Sequence, residues 1–128
     1  MYSSEQTYPL SDETFKIIGL AMEIHRILGR GFSEVVYKDA MEYELSHRGI
    51  DFEREKEFVV KYKNVFLPHK FYADFLVFNS VIVEIKAQKG IVEDHYGQTI
   101  NYLAASKCQI GLILNFGEPS LVSKRVIL

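Results

Sequence analysis

Three charged residues, Asp74, Glu84 and Lys86, stand in the otherwise apolar stretch 71–87. In a strand, residues two apart share a face, so Glu84 and Lys86 project together while Val83 and Ile85 turn into the opposite layer. Carboxylate oxygens are hard ligands suited to Mg2+ or Mn2+. Two of them on adjacent strands could hold one ion that polarises a phosphoryl oxygen and activates water. The Lys86 ammonium would then orient the attacking hydroxide or stabilise charge developing on the phosphate. The competing reading is a salt-bridged strand rim of Glu84 and Lys86 with Asp74 in a turn. For an isolated Glu-x-Lys that reading prevails.

The spacing sets a geometric condition. A two-residue loop at Asn79-Ser80 would place Asp74 opposite Ile85, whose side chain faces away from Glu84. An odd-length loop or a β-bulge between Asp74 and Glu84 restores parity and lets both carboxylates meet one metal.

The elements that must position these residues follow from periodicity. Ser11 as cap, with Asp12 and Glu13 at the positive end of the dipole, predicts a helix over 12–28. Phe15, Ile18, Ala21, Met22, Ile24 and Leu28 form its expected core stripe. Leu28-Gly29-Arg30-Gly31 breaks it. A second helix is expected over 33–48, nearly continuous with the first, with Val36, Ala40, Tyr43 and Leu45 inward and Gly49 just past its end. From Asp51 the period becomes two, predicting antiparallel strands at 52–62, 66–78 and 81–87, with turns at Asn64 and at Asn79-Ser80. A helix over 91–106 buries Tyr96, Ile100 and Leu103. The apolar run 110–116 reads as a buried strand. Residues 121–128 read as an edge strand guarded by Lys124 and Arg125. This order predicts an α/β (α+β) domain over 11–128, behind a polar lead at 1–10, with a mixed central sheet flanked by helices.

Bulk composition narrows the function classes. The 128 residues are 48% hydrophobic and 25% charged, as in one globular domain. Fifteen basic against seventeen acidic residues give a net charge of −2, which excludes nucleic-acid binding by global basic charge and demands a local patch. Cys108 is the single cysteine and lies in an apolar run, which fits a small buried residue in a reducing compartment better than a nucleophile. The amino terminus lacks the pattern of a signal peptide and no stretch reaches membrane-span length, so a cytoplasmic location and no membrane partner are expected.

A hairpin bearing Asp74, an apolar strand bearing Glu84-Ile85-Lys86 and a following helix, all preceded by a helix carrying an acid, resemble the PD-(D/E)XK nuclease superfamily. Ala73 stands where the usual Pro would be. Gly31, Glu34 and Tyr37 form GxxExxY, the signature of a bacterial and archaeal family placed in that superfamily, and the likeness runs from about Ile17 to the carboxyl terminus. Gln98 and Tyr102 match the QxxxY element of RecB-type nucleases. The resemblance implies a restriction-endonuclease-like core and Mg2+- or Mn2+-dependent hydrolysis of nucleic acid, with DNA as substrate. It also implies a metal site of Asp74, Glu84, the Ile85 backbone carbonyl and Glu34, with Lys86 and Gln98 completing the catalytic set and Glu23 as the substitute for Glu34.

From the residues alone, Glu34 either complements the start of its helix or pairs with Lys38 one turn on. Tyr37 shares that helical face, either packing beneath the site or bonding a carboxylate through its hydroxyl. His95 forms a polar stripe with Gln98 and Tyr102, as site support or as a solvated residue. Lys89, Lys107, Arg26 and Arg30 are candidate phosphate contacts or ordinary surface. Two other functions fit the same residues: a nuclease-fold interaction module that no longer cuts, and a hydrolase for small phosphorylated molecules, which needs a closed pocket. A homodimer would help so small a domain span a duplex.

Overall fold

The computed structural model describes residues 10–91 and 93–128. Helices α1 (Ser11–Leu28) and α2 (Glu34–His47) precede strands β1 (Phe52–Tyr62), β2 (Val65–Val77) and β3 (Val81–Lys86). Helix α3 (Glu93–Ser106) leads to β4 (Ile110–Asn115) and β5 (Val122–Ile127). The strands form one sheet in the order β1-β2-β3-β4-β5. All neighbours run antiparallel except β3 and β4, which are parallel and joined by the α3 crossover. The sheet is therefore mixed, and helices cover both of its faces, as the order of elements predicts.

Helices α1 and α2 cover one face, packing Ile17, Leu20, Ile24, Tyr37, Met41 and Leu45 against Phe75, Val83, Ile85 and Leu112. Helix α3 covers the other, bringing Tyr102 and Leu103 against Ala73, Leu76, Ile82 and Ile113. Burial from both sides is why β3 and β4 are almost wholly apolar. Val81 to Ile85 and the whole of β4 are buried.

The helix faces are rotated from those expected. Ile17, Leu20, Ala21 and Ile24 carry the α1 stripe, while Phe15 and Met22 are 79% and 58% exposed. Both sets satisfy a 3.6 period, and the choice between them is made by contact with the sheet. In α2 the core positions are Tyr37, Met41 and Leu45, whereas Tyr43 is exposed and Val36 and Ala40 are half-buried. In α3 Leu103 is buried with Thr99 and Tyr102, and Tyr96 and Ile100 pack partly buried beside them. Ser11 is not a cap: it is the first helical residue, Leu10 occupies the cap position with φ 57°, and the Ser11 carbonyl accepts from Thr14 Oγ1.

The two helices are separated by a turn at residues 29–33, where Gly29 and Gly31 have φ of 69° and 118°. A left-handed backbone of this kind costs Gly least. Tyr37 closes the turn. Its hydroxyl donates to the Gly29 carbonyl at 2.6 Å and accepts from the Phe32 N–H at 3.3 Å, and its ring stacks on Phe116 at 4.5 Å. Tyr37→Phe should keep the packing but lose two part-buried hydrogen bonds to the turn backbone, costing about 0.5–1.5 kcal/mol in urea unfolding. An unchanged unfolding midpoint would show that water replaces the hydroxyl.

No helix among the described residues is long and apolar enough to cross a membrane. Cys108 is half-buried and packs against the α3 cluster.

Candidate functional site

The turn between β2 and β3 has three residues, 78–80, because Val77 pairs with Val81, Leu76 with Ile82 and Phe75 with Val83. Phe78 and Asn79 take φ of 56° and 54° to close it. The next step of this register sets Asp74 opposite Glu84, so the odd loop satisfies the parity condition with no bulge between them. There the side chains replace the backbone ladder. The Asp74 N–H donates to Glu84 Oε2 at 2.7 Å, and the Ile85 N–H donates to Asp74 Oδ2 at 2.8 Å. Each carboxylate is thus fixed by the other strand's backbone.

On its other side Asp74 faces an interruption in the β1–β2 ladder. Arg54 pairs with Phe75 and Lys56 with Ala73, but Glu55 and Asp74 do not pair, and Glu55 has φ 54°. Ala73 joins the α3-side cluster and Phe75 the α1/α2-side cluster. Residues two apart on a regular strand share a face, so the chain rotates at Asp74. Lys38 of α2 meets the interruption: its Nζ lies 2.7 Å from Glu55 Oε2 and 2.9 Å from Asp74 Oδ1.

The electrostatics follow from this crowding. Glu84 is 3% exposed. Burial and then the Asp74 charge push its pKa up to about 8, against the Asp74 N–H bond and the charges of Lys86 and Lys38. Burial, then Glu84, Asp74 and Glu55, push the Tyr102 hydroxyl up to about 12, with Lys38 opposing. Burial draws Lys38 down, but its bonds to Glu55 and Asp74 outweigh that and hold it above the ordinary lysine value.

The structure therefore gathers Asp74, Glu84, Lys86 and Tyr102 into one electrostatic neighbourhood. Ile85 lies between the two β3 charges, with its side chain in the α1/α2 core. Gln98 is exposed and lines a cleft of about 380 Å³ with Asn101, Tyr102, His69, Lys70, Phe71 and Tyr72. His95 is half-buried one turn before Thr99, whose hydroxyl donates to its carbonyl.

Other expectations are corrected. Glu34 opens α2, where a negative side chain suits the positive helix end. It is Lys38, one turn later, that reaches Asp74, and Lys38 pairs with Glu55 and not with Glu34. Among the described residues no group of three or more His, Cys, Asp or Glu is arranged to hold a metal. Glu23, on α1, pairs with Arg48 at 2.8 Å. The Tyr37 hydroxyl serves the turn backbone in place of a carboxylate. Lys38 and Glu55 are the residues that sequence reasoning missed. In sequence, Glu55 belongs to the alternating run Glu53-Arg54-Glu55-Lys56-Glu57, which reads as a solvated strand face.

The end of β3 is held by a buried polar staple. Asn115, fully buried, donates to the carbonyls of Gln88 and Gly90 and accepts from the N–H groups of Gln88 and Gly117. The Lys86 carbonyl accepts from the Phe116 N–H at 2.8 Å. A side chain at Gly117 would put its Cβ 2.3 Å from the Gln88 nitrogen, so only Gly fits against the loop that follows Lys86.

No curated protein matches the chain significantly. Among solved structures, the crystal structure of SSO0001 superposes with a TM-score of 0.59 at 19% identity, over 72% of this chain and 48% of that one. The chain thus spans about half the length of that protein, and the likeness is one of fold. The family model of the PD-(D/E)XK nuclease superfamily matches residues 11–126. That match takes in every helix and nearly all of every strand, including the Asp74–Glu84 pairing, and the mixed sheet between helices agrees with the restriction-endonuclease-like core. The chain belongs to the PD-(D/E)XK nuclease superfamily.

Proposed function

We propose that the chain is a nuclease of the GxxExxY type that hydrolyses phosphodiester bonds of DNA with Mg2+ or Mn2+. The observation that carries this reading is the three-residue turn that sets Asp74 against Glu84, with Lys86 on the Glu84 face. The donor set fits a divalent cation: two hard carboxylates fixed by opposing backbone, one of them buried and pushed up to about 8 by burial and its neighbour's charge. Asp74, Glu84 and the Ile85 carbonyl would hold the ion, and water and phosphate oxygens suffice as further ligands for Mg2+. When bound, the ion supplies polarisation of the phosphoryl oxygen and a more acidic water.

The chain's own groups do the rest. Lys86 offers positive charge where the phosphoryl oxygens become more negative. Tyr102, held protonated at neutral pH, offers a hydroxyl donor. Gln98 and Asn101 present amides along the cleft that leads there, in keeping with a QxxxY role for Gln98 and Tyr102. The test is cleavage of single-stranded, duplex and branched DNA with Mg2+ or Mn2+, with an EDTA control and Asp74→Ala and Lys86→Ala variants.

One observation favours a second reading, an interaction module that does not cut. Asp74 Oδ1 is already neutralised by Lys38 at 2.9 Å. Absence of both cutting and metal binding in the folded wild type would favour that module.

A further inference from the structure

The β1–β2 hairpin is longer than the sheet needs. β1 and β2 have 11 and 13 residues against six in β3, and every residue from Lys61 to Lys70 is exposed. This projecting end has a composition unlike the rest of a chain whose net charge is −2. From Phe58 to Ala73 there is no Asp or Glu, and the charged residues are Lys61, Lys63 and Lys70, accompanied by His69. Aromatic rings stand between the cations: Tyr62 is 57% and Phe66 68% exposed. Lys61 faces Phe66 across the ladder, and Lys63 sits over the Tyr62 ring at 5.6 Å.

Cations interleaved with exposed rings are the chemistry that holds a single strand of nucleic acid, through its phosphates and by stacking on its bases. The base of the hairpin leads to the site. His69, Lys70 and Tyr72 share a cleft with Gln98, Asn101 and Tyr102, and Tyr102 lies in the field of Glu84 and Asp74. Glu57, at that base, bonds Tyr72 at 3.1 Å and pairs with Lys70 at 3.7 Å, so the cationic character is concentrated further out.

We propose that the projecting hairpin, residues 59–70, is an arm that binds single-stranded nucleic acid and leads it along the β2–α3 cleft toward Asp74 and Glu84. The direction toward the carboxylates rests on the nuclease reading, whereas the binding itself does not.

The test is fluorescence anisotropy of a labelled oligo-dT and of a matched duplex with the full chain in EDTA, across a salt series. For Lys61→Ala/Lys63→Ala, oligo-dT affinity should fall about tenfold at low salt, and the slope of log affinity against log salt should flatten by about 1.4, two phosphate contacts' worth. For Tyr62→Ala/Phe66→Ala, affinity should again fall about tenfold or more with the slope retained, because stacking and not ion release is lost. These side chains are exposed, and circular dichroism checks that each variant is folded. Unchanged affinity in both variants, or a duplex bound more tightly than oligo-dT, overturns the proposal. Hydrolysis of bis(4-nitrophenyl) phosphate with Mn2+ reads the carboxylates without the arm. Arm variants that keep this hydrolysis while losing oligo-dT support the proposal. A wild type that binds oligo-dT through these residues but hydrolyses nothing leaves the arm standing and removes the nuclease reading.

Discussion

Asp74→Ala and Lys86→Ala are each expected to lower metal-dependent DNA cleavage at least about a hundredfold, the usual scale for losing one charge-stabilising group at a reacting centre. The two losses should differ in kind. Asp74→Ala removes a carboxylate that would hold the ion and the acceptor of the Ile85 N–H, so metal affinity should fall with activity. Lys86→Ala leaves both carboxylates in place, so metal titration should stay close to wild type while kcat falls. The double variant should be little worse than the poorer single one, since groups that act as a unit are not additive. Glu34→Ala should stay within about an order of magnitude of wild type, because Lys38 and not Glu34 reaches the pair. Steady-state kinetics with Mn2+, alongside metal titration by calorimetry, separates these outcomes. Full activity in folded Lys86→Ala would remove the proposed chemistry.

The local patterns were readable because they depend on near neighbours. The strand period, the apolar run of β4 and the Gly49 stop all lie where the sequence puts them. So does the meeting of Asp74 and Glu84: with side chains alternating along both strands, only an odd loop suits two carboxylates on one face, and residues 78–80 provide it. What failed was whatever a distant surface decides. The α1 stripe has two apolar settings, and the sheet selected Ile17, Leu20 and Ile24 over Phe15 and Met22. Gly31, Glu34 and Tyr37 have the spacing of the GxxExxY pattern, yet Tyr37 works on the turn made by its own neighbours. Lys38 could not be assigned from sequence, because its partners are 17 residues away in β1 and further still in β2. Glu55 takes φ 54° where the ladder beside Asp74 is interrupted, and nothing in a run of alternating charges marks that residue for it.

Glu84 should make the metal-free protein less stable as pH rises, the reverse of an ordinary paired carboxylate. Its folded pKa of about 8 lies above the usual 4.5 because burial and Asp74 both disfavour its charged form. Between those values the folded chain holds a proton that the unfolded chain has released, so the unfolding free energy falls with pH. The contribution is complete below about pH 4.5 and is lost as pH climbs through 8, at a slope of about 1.4 kcal/mol per unit. Glu84→Gln keeps an acceptor for the Asp74 N–H and cannot ionise. Its stability should therefore be flatter between pH 5.5 and 7.5, by about 2–3 kcal/mol across that span, in urea unfolding with EDTA. A divalent ion would replace that proton, so near pH 7 each Mg2+ or Mn2+ bound should release close to one proton. Calorimetry in buffers of different ionisation enthalpy measures that release. Parallel pH curves for wild type and Glu84→Gln, together with metal binding that releases no proton, would mean that Glu84 is already ionised at neutral pH and that Lys38 and Lys86, not a proton, balance the pair.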